Sequence, residues 1–174
     1  MADPWLEQLH AWHEFYFLLG TSAAALTGLM FVVVSINPDN ISRSPEDRFR
    51  AFTTPTMVFF TTALVVSALL LVPDLAVRPL ALLLGLIGIL GVGYLVWVSA
   101  HRHWREAKLD REDWVCYVGL PYASYGLLIA AAVGIWLRSG FGVAVLALGT
   151  VLLVVNGIRN AWDLVVFMAR KRGA

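Results

Sequence analysis

The sequence predicts an all-α, polytopic membrane bundle of five transmembrane helices, with the N-terminus outside and the C-terminus in the cytoplasm. Of the 174 residues, 59% are hydrophobic and only 14% are charged, whereas soluble domains average about a quarter charged residues. The charges fall almost wholly between five long apolar runs, and a hydrocarbon core of about 30 Å needs about 20 apolar residues per helix. The runs are residues 12–36, 55–72, 79–100, 114–137 and 141–161.

The lysines and arginines predict the orientation, because cytoplasmic loops carry an excess of both residues. Residues 1–11 contain neither, the second and fourth loops contain one arginine each, and the remaining connections and the C-terminus are basic. The basic residues on the predicted cytoplasmic side are Arg43, Arg48, Arg50, Arg102, Arg105, Lys108, Arg111, Arg170, Lys171 and Arg172. Tryptophans near the ends of the apolar runs agree with this topology, since they favour membrane interfaces.

Composition also narrows the class of function. A net charge of +1 without a basic stripe gives no reason to expect a nucleic-acid partner. Cys116 is the only cysteine, which excludes intramolecular disulfides and CxxC redox chemistry. No HExxH, GxSxG or Walker A motif is present, and the four histidines lie near predicted helix ends, where they would not hold a buried haem. We therefore expect no enzymatic activity and no cofactor.

The first predicted helix covers residues 4–36. Asp3-Pro4 is typical of an N-cap followed by the first helical position, and the absence of a basic segment before the apolar run argues against a cleaved signal peptide. Small residues recur every four positions, a pattern that lets transmembrane helices approach closely. They are Gly20, Ala24 and Gly28. We expect this pattern to pack within the chain, with a homo-oligomer interface as the alternative.

The second and third helices are predicted at residues 45–72 and 79–108. Pro45 suits the first turn of the second helix, and Pro55 lies inside it, where a proline bends a helix. Pro79 begins the third helix. Four glycines make the third helix thin and favour close packing; they are Gly85, Gly88, Gly91 and Gly93.

The fourth and fifth helices are predicted at residues 111–137 and 141–170. Arg138-Ser139-Gly140 leaves room only for a very short turn between them, so the two helices should form an antiparallel hairpin. The fourth helix carries a proline, Pro121, that is expected to kink it. It also repeats the small-residue spacing, at Gly126, Ala130 and Gly134.

The fifth helix contains four polar residues within apolar sequence, and we call them the polar cluster: Asn156, Arg159, Asn160 and Asp163. Their spacing of 0, 3, 4 and 7 positions is that of one helix face. Polar side chains in a span are costly and need a partner or a function. One interpretation is an interhelical polar contact, with Arg159 paired to Asp163 and the asparagines bonded to neighbouring helices, for instance to threonines of the second helix. The other is a vestibule for an ion, a proton, a lipid head group or a partner helix.

A second candidate site lies at the outer edge of the first helix, at His10, His13 and Glu14. Glu7, His10 and Glu14 share a helix face, and imidazole and carboxylate groups are suitable ligands for a divalent cation if a fourth ligand comes from elsewhere. The pattern is short, so we expect a solvated acidic face without a metal.

Both ends of the chain carry a family resemblance. The first helix contains WHEFYFLLGTSAAALTGLMFVVVSI and the last contains GIRNAWDLV. These segments resemble a group of small, mostly uncharacterised bacterial integral membrane proteins, some of which are labelled modulators of a membrane protease. The resemblance covers residues 12–36 and 157–165, and elsewhere extends only to the apolar pattern. It implies a bacterial inner (plasma) membrane protein and supplies no activity or site residues.

Three functions are compatible with this sequence. The leading hypothesis is a non-enzymatic, homo-oligomeric membrane protein that acts as an ion channel or small-ion sensor through the polar cluster. The alternative is a scaffold or modulator subunit that packs against a larger membrane complex through its glycine and alanine faces. A third hypothesis is a lipid- or quinone-binding protein that uses Tyr122, Tyr125 and Arg159.

Overall fold

The computed structural model describes residues 4–36, 46–73, 75–101 and 118–172. Within these ranges the chain is all-helical and contains no strand, which confirms the predicted fold class at this level. The helices are α1 (Pro4–Ala11), α2 (His13–Ile36), α3 (Glu46–Leu71), α4 (Val77–His101), α5 (Leu120–Trp136) and α6 (Gly142–Arg172).

Among the residues that the structure describes, four segments are long and apolar enough to cross a membrane: His13–Ile36, Thr54–Leu71, Val77–Ala100 and Gly142–Val166. The chain is therefore a multi-pass membrane protein. Helix α5 is also apolar but has only 17 residues, or about 26 Å at 1.5 Å per residue. The predicted start of this helix and the predicted end of the third lie between residues 102 and 117, outside the described residues.

The helices pack side by side in the order α4, α5, α6, α3 and α2. The α5–α6 hairpin has the most extensive contact, as expected from its short turn. Helices α3 and α4 are consecutive in the chain but barely touch, because α4 packs on α5 whereas α3 packs on α2 and α6. Helices that are consecutive in the chain are therefore not always neighbours in the bundle.

Glycines lie where the principal helix pairs approach most closely. At the α4–α5 contact, a Cβ on Gly91 would overlap the ring of Tyr125. At the α3–α6 contact, a Cβ on Gly157 would overlap the ring of Phe60. At the α5–α6 contact, a Cβ on Gly149 would lie 2.8 Å from a methyl carbon of Leu128. Without a hydrophobic driving force between helices in lipid, such close van der Waals packing is what holds spans together.

The six small residues predicted to mediate packing differ in their surroundings. Gly20 is buried against α3, since a Cβ there would lie 2.9 Å from the Cβ of Ser67. Gly134 meets the start of α6, 3.2 Å from the Cα of Gly142. The other four, Ala24, Gly28, Gly126 and Ala130, are exposed on the single chain. The other close contacts between helices are made by glycines of α4 and α6, which lie against bulky side chains of neighbouring helices.

The N-terminal helix divides at Trp12, so the predicted continuous helix 4–36 appears as α1 and α2. Two side chains near this break tie it to the α5–α6 hairpin. Gln8 donates from Nε2 to the carbonyl oxygen of Gly140 at 2.6 Å, and the buried Tyr16 hydroxyl donates to the carbonyl oxygen of Val143 at 3.1 Å. The break therefore directs α1 across the turn of the hairpin.

That turn ends α5 in a Schellman arrangement. The Arg138 N–H donates to the Ile135 carbonyl at 2.9 Å and the Ser139 N–H donates to the Gly134 carbonyl at 2.8 Å. These are the two bonds that define the motif, which usually places a glycine in the left-handed conformation. Here Arg138 occupies that position with φ of 53°, which is unfavourable for a residue with a Cβ.

We expect Arg138→Gly to be more stable than Arg138→Ala by about 1 kcal/mol, because glycine adopts the left-handed conformation without steric cost. The comparison with alanine cancels the loss of the arginine side chain, which has interactions of its own. Unfolding by SDS titration in mixed micelles measures the difference. Equal stability of the two variants would contradict the assigned strain.

Candidate functional site

The polar cluster on α6 is divided between two environments. Asn156 and Asn160 are buried, at 2% and 8% exposure, whereas Arg159 is exposed and Asp163 is half-buried. The buried face of α6 also contains Leu153, Gly157 and Leu164. At 100° per residue, Asn156 lies near one edge of that face and Arg159 lies beyond the edge. The predicted stripe is thus rotated relative to the helix interface, and only its asparagines lie inside.

Asn156 connects α6 to the first turn of α5. Its Nδ2 donates to Ser124 Oγ at 3.1 Å, and Ser124 Oγ in turn donates to the Leu120 carbonyl at 2.8 Å. The partner is therefore a serine of α5 and not one of the threonines of α3. The Oδ1 atom of Asn156 is buried without a hydrogen-bond partner among the described residues. An unpaired buried acceptor of this kind costs about 1–3 kcal/mol.

Tyr125 connects three helices from its position on α5. It is 1% exposed, its ring fits against Gly91 of α4, and the ring of Phe59 on α3 lies at a centroid distance of 6.3 Å. Thr62 of α3 donates its hydroxyl proton to the Val58 carbonyl at 2.7 Å. The Tyr125 hydroxyl, 3.1 Å from Thr62 Oγ1, is therefore the donor in that contact, since threonine has one proton to give.

The weak contact between α3 and α4 leaves a groove of about 400 Å³ that is open to the side of the bundle. Its walls are largely apolar, and Thr62, the hydrogen-bond partner of Tyr125, lies among the lining residues. The lining residues are Thr54, Met57, Val58, Thr61, Thr62, Val65, Ile87 and Leu90. Ligand sites commonly have volumes of about 300–1,000 Å³ with apolar walls and a few polar groups, so this groove has the dimensions of a binding site.

Sequence reasoning did not locate the groove. It named Tyr125, and Tyr122, which is half-buried, but it associated neither with α3. The only local signal in the second predicted helix was a set of threonines, which the sequence offered as hydrogen-bond partners for the asparagines of the polar cluster. Which faces of α3 and α4 lie opposite each other depends on tertiary packing, and no periodicity within either helix reveals that.

At the other candidate site, His10, His13 and Glu14 are all exposed, and so is Glu7. No group of three or more metal-ligating side chains occurs in the described part of the chain. The structure therefore places these residues on the surface of α1 and the start of α2 without assembling a ligand set there.

No protein-family model, curated protein or solved structure matches this chain. The fold and the groove define a multi-pass, all-helical membrane protein with a lateral apolar cleft.

Proposed function

We propose that this chain is a non-enzymatic, five-span protein of the bacterial inner membrane that binds a lipid or a quinone in the groove between α3 and α4. The observation that carries the proposal is the groove itself, with its apolar walls and its lateral opening. Both flanking helices are long and apolar enough to span a bilayer, so the opening would face lipid. A ligand dissolved in the bilayer would then enter sideways without crossing water.

The chemistry of the walls favours an elongated apolar ligand with one hydrogen-bonding group. Met57, Val58 and Ile87 supply apolar contact, while Thr61 presents a hydroxyl on an exposed side chain. Hydroxyl groups within a bilayer gain from a polar partner, because water is absent there. A quinone carbonyl or the ester group of a lipid is such a partner, and an isoprenoid or acyl tail fits the remaining apolar wall.

Five spans are supported by the hairpin geometry. Helix α5 packs along α6, and a turn of only a few residues joins the two. If α6 crosses the bilayer, its antiparallel neighbour of about 26 Å also crosses it. The basic residues then favour an outside N-terminus and a cytoplasmic C-terminus.

Native mass spectrometry of the purified protein tests the groove, with a prenylated benzoquinone and a zwitterionic phospholipid as probes. We expect Leu90→Trp to reduce retention of the bound probe about tenfold, because the indole fills the groove. The matched control is Ile89→Trp on the same helix, which is exposed but does not line the groove.

Thr61→Val tests the hydrogen bond to the ligand. Loss of the hydroxyl should weaken binding of a quinone or of a lipid ester about fivefold, as expected for one hydrogen bond, and the ligand class follows from which of the two probes the wild-type protein retains. A wild-type protein that retains neither probe would overturn the proposal, as would equal losses in the Leu90→Trp and Ile89→Trp variants.

The hypotheses of a small-ion channel or sensor and of a scaffold subunit are not tested by the structure and remain predictions. Within the single chain, Asn156 and Asn160 pack against neighbouring helices, so an ion path along α6 would need additional copies or a rearrangement. The exposed positions Ala24, Gly28 and Ala130 leave smooth faces for a second copy or for a subunit of a larger membrane complex.

A further inference from the structure

The outward face of α6 carries a cation among apolar side chains. Arg159 is exposed, and the residues around it on the same side of the helix are also exposed. They are Val155 at 46%, Ile158 at 48%, Trp162 at 67% and Val165 at 44%. Because these neighbours are aliphatic or aromatic, this face is suited to contact with lipid tails. The charge and the N–H groups of Arg159 are the exception, since lipid tails offer them no partner.

The depth of Arg159 places it near one surface of the bilayer. It lies 17 positions beyond Gly142, where the span begins, which is about 26 Å along the helix axis. The hydrocarbon core is about 30 Å thick, so a long side chain at this position reaches the boundary by extending toward the head groups. Trp162 lies about 4.5 Å further along, at the level where tryptophan is enriched in membrane proteins.

We propose that Arg159 and Trp162, on the exposed face of α6, bind the phosphate of an anionic phospholipid head group. The planar guanidinium offers two parallel N–H groups to phosphate oxygens, and the indole N–H is a further donor. The apolar neighbours Val155 and Ile158 contact the acyl chains. This site lies on a different helix from the residues that line the α3–α4 groove and does not depend on the ligand proposed there.

The charge balance of this part of α6 is consistent with that assignment. Asp163 is one turn away from Arg159 and is half-buried. Arg159, in contrast, is exposed. A phosphate approaching from the bilayer therefore meets the cation before the carboxylate.

The test is competition between phosphatidylglycerol and phosphatidylcholine in mixed micelles, with bound lipids counted by native mass spectrometry. We expect the wild-type protein to prefer phosphatidylglycerol and Arg159→Gln to lose about fivefold of that preference, as expected for one arginine at a membrane surface. Arg138→Gln is the matched control, because it removes the same charge from an exposed residue at the other end of the hairpin.

Several outcomes decide between sources of the effect. Arg159→Lys should lose less of the preference than Arg159→Gln, because the charge remains while the two parallel N–H groups are lost, and an Arg159→Gln variant that keeps the full preference would overturn the site. Equal losses in Arg138→Gln and Arg159→Gln would show a net-charge effect and also overturn it. Displacement of the lipid by millimolar inorganic phosphate would assign the site to free phosphate. A change in oligomer mass without a change in bound lipid would assign the face to a second copy.

Discussion

Gly91→Val is expected to separate α4 from α5 and to lower the free energy of unfolding by about 2–3 kcal/mol, the upper part of the range for overpacking. The valine Cβ would occupy the position of the Tyr125 ring. That ring cannot move away easily, because it is buried against Phe59 and bonded to Thr62. The displacement should therefore be taken up by the backbone of α4.

Gly93→Val is the matched control for this substitution. It adds the same side chain two residues along the same helix, where nothing lies within 4 Å of the new Cβ. SDS unfolding in mixed micelles should leave Gly93→Val within about 0.5 kcal/mol of the wild-type protein. Similar losses at both positions would mean that helix propensity, and not the contact with Tyr125, sets the effect.

Tyr125→Ala alone is expected to lower the free energy of unfolding by about 3 kcal/mol, which is the low end of the range for removing a buried aromatic ring. The low end applies because the bilayer is itself apolar, so the loss comes from packing and the cavity and not from exposure to water. Tyr125→Phe keeps the ring and removes only the bond to Thr62, so it should cost about 0.6 kcal/mol. Comparison of the two variants by SDS unfolding separates packing from hydrogen bonding.

The two substitutions should also compensate each other. In the double variant Gly91→Val with Tyr125→Ala, the valine enters space that the ring has left, so the total loss should be smaller than the sum of the single losses. Residues in direct contact show such interaction energies of about 0.5–3 kcal/mol. Strict additivity would show that Gly91 and Tyr125 do not contact each other in the membrane.

The positions of the apolar helices were predictable because length and composition decide whether a segment spans a bilayer. The ends of α6 and the short turn before it were also predictable from the local sequence. The break at Trp12 did not, since it is associated with contacts of Gln8 and Tyr16 to residues more than 120 positions away. The separation of α3 from α4 was equally unpredictable, because it follows from the stronger packing of α4 on α5.

The polar cluster shows the same limit at the level of single residues. Helical spacing places Asn156, Arg159 and Asp163 near one another on α6, but it does not fix the rotation of that face relative to the bundle. In the structure the side of α6 that carries Gly157 packs against the ring of Phe60 on α3. As a result Asn156 bonds to Ser124 while Arg159 lies at the surface.

The order of packing has a consequence for how the chain is made. Helix α3 has as a neighbour α2, which precedes it in the chain, but the partner for its other side, α6, is translated after α4 and α5. Domains and elements emerge from the ribosome in N-terminal to C-terminal order, so α4 and α5 enter the bilayer while that side of α3 is still uncovered. Helix α6 can therefore insert between α5 and α3 only after α4 and α5 have been translated, and a nascent chain stopped before residue 142 would lack the element that joins the α2–α3 pair to the α4–α5 pair.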